Sequence, residues 1–370
     1  MNKPKIYISF VVLLLTCLSA LAQSHNAYYG EIMIGKVVKH KEGLLFDVPP
    51  MTMMLQVGKV IQTDGSKAWH DYWGFPRLER SVHFNVLGDA EVLGYAFGAA
   101  PGIAFYLRRG DRSSMLLHLA TGFAYLNREF NAATNPTNNA IGSNFNNTSQ
   151  VKISYETNVV DNVALDIGLG LTHYSNGLSS SPNSGINVIG LHLGLKPIID
   201  KPVPTEGFNI AVAENSFRRW GINGFMTYGL AESKIPGGPK YPVKNYTLGI
   251  YYRLNPFIRL HTGVDYEYDF ADYEFAIRDF QSEETANEEA SSSAAFAGLE
   301  GLFGQVSFRF QLGYYLEALF PSGEPLPYTK FNIVYNIPYD LYEVQPFVGV
   351  LLKTHVGVAD YVSLQVGVEW

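Results

Sequence analysis

The chain has 370 residues with 35 glycines, 24 tyrosines, 23 phenylalanines, a single cysteine and a formal net charge of −7. That acidic balance, with no basic run to track a phosphate backbone, excludes nucleic acid as a partner. One cysteine allows no intrachain disulfide framework, so export has to be explained another way.

Residues 1–22 carry Lys3 and Lys5, an apolar run from Ile6 to Leu15, and the small-x-small site Ala20-Leu21-Ala22. They predict a Sec-type signal peptide cleaved near Ala22, which removes Cys17 and with it thiolate metal sites and cysteine nucleophiles. The longest apolar stretch of the mature chain, VLGYAFGAAPGIAFYL at 92–107, is too short for a spanning helix and is broken by Gly94, Gly98, Pro101 and Gly102.

A closed barrel is the other way across a bilayer, and its signature of alternating segments of about ten residues recurs along the chain. Met115, Leu117, Leu119, Phe123 and Tyr125 share one parity, as do Val163, Leu165, Ile167, Leu169 and Leu171. Ile186 to Leu195, Ile258 to Glu267 and Val306 to Tyr314 alternate in the same way. YVSLQVGVEW then closes the chain on an aromatic residue after alternating apolar positions, as outer-membrane barrels do. The prediction is an all-β, transmembrane, antiparallel up-and-down barrel of about 14 strands (range 12 to 16), a single domain over 23–370 in a bacterial outer membrane.

Counting back from Trp370, the external loops fall at 131–149, 176–184, 233–243 and 271–293. Periplasmic turns fall at 160–162, 254–256 and 300–305. The stretch 197–216 breaks the short-turn rule as a plug, a short helix or a mark of miscounting. The acidic loop 271–293 holds Asp272, Glu274, Asp279, Glu283, Glu284, Glu288 and Glu289, which read as a solvated loop with Ca²⁺ the one cofactor left open. His118, His192 and His261 have lumenal parity without metal-site spacing. Lys353 and His355 read as polar residues of the outer rim.

One strand breaks its own pattern. After five aliphatic residues, the same face continues with His173 and Ser175, and Asn187 takes the equivalent parity at the start of the next strand. A histidine and a serine two apart on a strand can meet on one face, and a hairpin partner can supply the group that orients the histidine.

HYSNG followed by PNSGIN resembles the signature of outer-membrane lipid A 3-O-deacylases, the acyloxyacyl-hydrolase-type barrels. The resemblance implies a carboxylic-ester hydrolase with Ser175 as nucleophile, His173 as general base, Asn183 as an oxyanion contributor, and Asn176 and Gly177 in the loop that shapes the oxyanion hole. Where that family has a glutamate, this sequence has Asn187. The same stretch is also similar to outer-membrane phospholipase A, whose triad is His-Ser-Asn. The function expected is therefore removal of an ester-linked acyl chain from lipid A of lipopolysaccharide. A phospholipase A-like hydrolase and a non-catalytic barrel, a channel or a surface-binding protein, are the alternatives. Outer-membrane lipid and the barrel-assembly machinery are the partners implied, and homodimerisation is left open.

Overall fold

A computed structural model describes residues 26–39, 43–160, 162–199, 218–232, 236–316, 327–339 and 343–370. The signal peptide and most of 197–216 lie outside the described residues. The chain divides into two compact units, Met1–Asn176 with Pro182–Glu206, and Gly177–Ser181 with Gly207–Trp370.

The first unit is built from β1 (Asn26–Val37), β2 (Thr52–Gln62), β3 (Arg77–Val86), β4 (Tyr95–Arg109), β5 (Ser113–Leu126), β6 (Phe145–Val160), β7 (Val163–Ser175) and β8 (Ile186–Pro197). A five-residue helix, α1 (Ala68–Tyr72), sits between β2 and β3. Each strand pairs antiparallel with its neighbour in sequence, and β8 returns to pair with β1, from Gly30 opposite Leu195 to Val37 opposite Val188.

The second unit repeats this plan with β9 (Trp220–Glu232), β10 (Lys240–Asn255), β11 (Ile258–Asp269), β12 (Ser291–Phe303), β13 (Val306–Tyr315), β14 (Tyr328–Asn336), β15 (Gln345–His355) and β16 (Val358–Glu369). Here β16 closes on β9, Ser363 opposite Gly229. Closure satisfies every strand's backbone from both sides, which is what permits strands to lie in hydrocarbon. Among the described residues no helix is long and apolar enough to cross a membrane.

The single barrel of about 14 strands is therefore corrected: among the described residues sixteen strands form two closed barrels of eight. In chain order 197–216 falls between β8, which ends at Pro197, and β9, which begins at Trp220. The loop expected at 131–149 is shorter, since Phe145 already begins β6. The acidic stretch 271–293 is not an open loop but two helices, α2 (Phe270–Arg278) and α3 (Glu283–Ala290), with Asp269 and Ser282 as their capping acceptors.

Alternation sends apolar side chains out and polar ones in. In β7, Ile167, Leu169 and Leu171 are exposed, while Ala164, Asp166, Thr172 and Tyr174 are buried in the lumen. The lumen of the first barrel is filled by paired charges. Lys152 donates to Glu31 at 2.6 Å, Arg77 grips Glu156 with both Nη atoms, and Lys196 bridges Glu156 and Asp166. His118 lies between Glu79 and Ser154, and His192 contacts Asp166. The cavity left among these groups is about 10 Å³, room for roughly one water.

In the second barrel Glu300 and Glu369 hold Arg259 and Arg309, and Lys330 donates to Asp265 at 2.7 Å. His118, His192 and His261 are lumenal, as their parity required. Lys353 is not a rim residue: it is buried in the lumen, 2.5 Å from Glu267. His355 stacks on Tyr315, whose hydroxyl lies 3.0 Å from its Nε2.

Candidate active site

His173 and Ser175 end β7 on the face that carries Leu169 and Leu171, outside the first barrel. In the hairpin register His173 stands directly opposite Asn187 on β8. The His173 Nδ1 and Asn187 Oδ1 lie 2.6 Å apart. A carbonyl oxygen can only accept, so this bond places the imidazole proton on Nδ1 and leaves a lone pair on Nε2. Ser175, two residues further on the same face, stands about 6.6 Å along the strand from His173, a span that two side chains turning toward each other can close. The structure thus joins His173 to Asn187 by a hydrogen bond and places Ser175 two residues along the same outward face, all three half-buried.

The β7–β8 connection frames the group. Asn176 N donates to Asn183 Oδ1 at 3.0 Å, tying the residue after Ser175 to the far side of the loop. Asn176 Nδ2 reaches Ser143 Oγ at 3.1 Å. Gly177 and Leu178 both adopt left-handed backbone, φ +61° and +66°, which turns the chain sharply away from the serine.

Gly185 was not among the expected residues, yet it sets where the imidazole lies. Its φ is +79°, and a Cβ built there would stand 2.8 Å from His173 Cε1 and 3.3 Å from the Tyr174 carbonyl oxygen. Its amide donates to Ala140 O at 2.9 Å, which hangs the loop on the β5–β6 connection. The Pro-Asn-Ser-Gly spelling flags a turn, but only the fold shows the histidine packed over that glycine. Gly185→Ala is expected to displace the ring and lower ester turnover by roughly ten- to hundredfold. Initial rates on a folded sample check it, and a rate within twofold of wild type would refute the packing argument.

The β5–β6 connection, rich in asparagine, is a scaffold. Asn138 Nδ2 donates to Val92 O and Arg128 O, Asn135 Nδ2 to Val92 O and Glu129 O, and Asn139 Nδ2 to Gly43 O. Beneath it Ala140, Ile141, Leu126, Leu87 and Leu93 pack with Tyr174, Ile186 and Val188, the inward neighbours of the site residues. The outer wall is thereby stiffened from within. Among the described residues no three His, Cys, Asp or Glu side chains come close enough to hold a metal ion.

Comparisons with known proteins agree with the two-barrel division. Residues 55–196 match the family model described as lipid A 3-O-deacylase (PagL), and residues 218–370 match the model described as acyloxyacyl hydrolase, C-terminal domain. No curated protein matches the chain. Among solved structures, the outer-membrane enzyme PagL is 15% identical with a TM-score of 0.33, aligned over 47% of this chain and 100% of its own. CdiB from Acinetobacter baumannii is 8% identical with a TM-score of 0.20, aligned over 94% of this chain and 60% of its own. The toluene transporter TodX from Pseudomonas putida is 10% identical with a TM-score of 0.17 over 95% and 89%. One model thus falls on each barrel, the first barrel being similar to the lipid A 3-O-deacylase family and the second to the C-terminal domain of acyloxyacyl hydrolases, both families of esterase-type hydrolases.

Proposed function

We propose that the protein is an outer-membrane esterase that removes an ester-linked acyl chain from lipid A, with Ser175, His173 and Asn187 as its catalytic group. The observation that carries this reading is the His173–Asn187 hydrogen bond on the apolar outer wall, beside Ser175. A histidine and a serine face hydrocarbon because the scissile ester lies there.

In this mechanism His173 Nε2 takes the Ser175 proton as Oγ attacks the ester carbonyl. The oxyanion is met by donors at the start of the β7–β8 loop. Asn183 Oδ1 is already used on the Asn176 amide, so Nδ2 is the part of Asn183 that serves. Collapse expels the sugar alkoxide, which takes the proton from His173. Water, activated by the same imidazole, then releases the fatty acid. The loop end of the first barrel lies in the outer leaflet, after export and insertion by the barrel-assembly machinery.

Asn187 favours a second reading, a phospholipase with a His-Ser-Asn triad. Large barrel size would favour it too, but the barrel carrying the site has only eight strands. Mass spectrometry of lipids from cells expressing wild type and Ser175→Ala separates the two. A Ser175-dependent loss of one acyl chain from lipid A is the expected result. Lysophospholipid in its place would transfer the site to phospholipids, and identical profiles from folded, inserted proteins would refute the esterase.

A further inference from the structure

Beside His173, the outer wall of the first barrel carries a second polar group. In the strand registers Thr121 on β5 faces Ser149 on β6, Ser149 faces His173, and His173 faces Asn187, making one lateral row across four strands. Asn147, opposite Ser175, joins the row from above. Two residues further down each strand the row is wholly aliphatic, Leu119, Val151, Leu171 and Ile189, all exposed. Polar side chains on a lipid-facing wall are costly unless their hydrogen bonds are made.

Three of them are made in a ring. Ser149 Oγ donates to Asn147 Oδ1 at 2.8 Å, and Asn147 Nδ2 donates to Thr121 Oγ1 at 2.9 Å and to Gly122 O at 2.9 Å. Thr121 Oγ1 lies 3.1 Å from Ser149 Oγ. Since the Ser149 proton is committed to Asn147, Thr121 is the donor in that last pair. All four polar hydrogens of the three side chains are then consumed within the wall, and what the ring offers outward is lone pairs only. A group of this kind recognises a hydrogen-bond donor and gives nothing to an ester or ether oxygen.

We propose that Thr121, Asn147 and Ser149 form a specificity subsite that accepts a hydrogen bond from a hydroxyl or amide N–H next to the scissile ester. This rests on the esterase reading above and narrows its substrate class. Ser149 is the direct cross-strand neighbour of His173, with Cβ atoms about 5 Å apart, so the donor sits that close to the reacting carbonyl. An acyl chain bearing a hydroxyl near its carboxyl end, or an amide-linked chain on the adjacent sugar carbon, meets this requirement. A diacylglycerol unit, with only ester oxygens there, does not.

The test uses the full chain in detergent micelles and two p-nitrophenyl esters, 3-hydroxydecanoate and decanoate, with folding of each variant verified by heat-modifiable gel migration. Wild type is expected to prefer the hydroxylated ester about tenfold in kcat/KM, the size of one interfacial hydrogen bond. Thr121→Val/Ser149→Ala brings that ratio close to one, while Ser149→Thr, which keeps the hydroxyl, restores it. An absent preference in wild type, an unchanged ratio in the double variant, or a fall of both rates by one factor would each overturn the subsite. If neither ester is cleaved in a Ser175-dependent way, the esterase reading fails. The subsite is then judged by equilibrium binding of 3-hydroxydecanamide against decanamide to the Ser175→Ala chain, where the same tenfold ratio and its loss in the double variant are expected.

Discussion

His173→Ala and Ser175→Ala should each lower ester turnover by roughly 10⁴–10⁶-fold, because nucleophile and base act as one unit and neither works alone. Asn187→Leu removes the acceptor that holds the proton on Nδ1, so the ring can adopt the wrong tautomer and turnover should fall by roughly 10²–10⁴-fold. Asn187→Glu is different, since a carboxylate keeps the same tautomer and also stabilises the imidazolium that forms during attack. Its turnover is expected to equal or exceed wild type. Initial rates on folded, detergent-solubilised variants measure all four, and a His173→Ala protein within tenfold of wild type would remove His173 from the mechanism.

The second large effect concerns stability. Glu300, buried in the lumen of the second barrel, accepts from Arg309 Nε at 2.7 Å, Ser307 Oγ at 2.5 Å, His261 Nε2 at 2.8 Å and Arg259 Nη1 at 3.3 Å. Glu300→Ala leaves two buried guanidiniums sharing Glu369, and breaking a buried ion pair from one side costs about 3–5 kcal/mol. Urea unfolding of the detergent-solubilised protein should show this as a lowered midpoint at unchanged slope. A loss below about 1 kcal/mol would mean that water reaches the lumen and replaces the carboxylate.

What the sequence disclosed follows from the period of a strand. Alternation at Val163–Leu171 fixed which side chains of β7 face outward, and it carried His173, Ser175 and Asn187 to the outer wall with the correct parity. Parity likewise put His118, His192 and His261 in the lumen. It could not name their partners: Glu79 lies two strands away from His118, and Glu300 is a diagonal neighbour of His261 set by the β11–β12 register, which alternation does not encode. Nor does alternation encode closure. Whether β8 turns back to β1 or goes on to β9 is decided by ladder hydrogen bonds, and both choices spell the same pattern.

The helices in the acidic stretch were hidden by its composition, though their caps could be read. Asp269 accepts from Ala271 N at 2.7 Å and Ser282 from Thr285 N at 3.2 Å, the usual chemistry of a helix start. Lys353 reads as a rim residue from its position alone and is buried in the lumen. Its nearness to the last hairpin suggests the rim, whereas it shares the inward parity of Phe347 and Leu351.

Because β8 closes on β1 and β16 on β9, each half of the chain is topologically complete. Every strand has its two neighbours within a run of fewer than 180 residues, and both cylinders close with described strands alone. A nick between β8 and β9 would cut no strand of either described ladder. The molecule is in this respect a tandem of two finished modules on one string, so a lineage could lengthen, shorten or exchange the second without reopening the wall on which the first carries its histidine and serine.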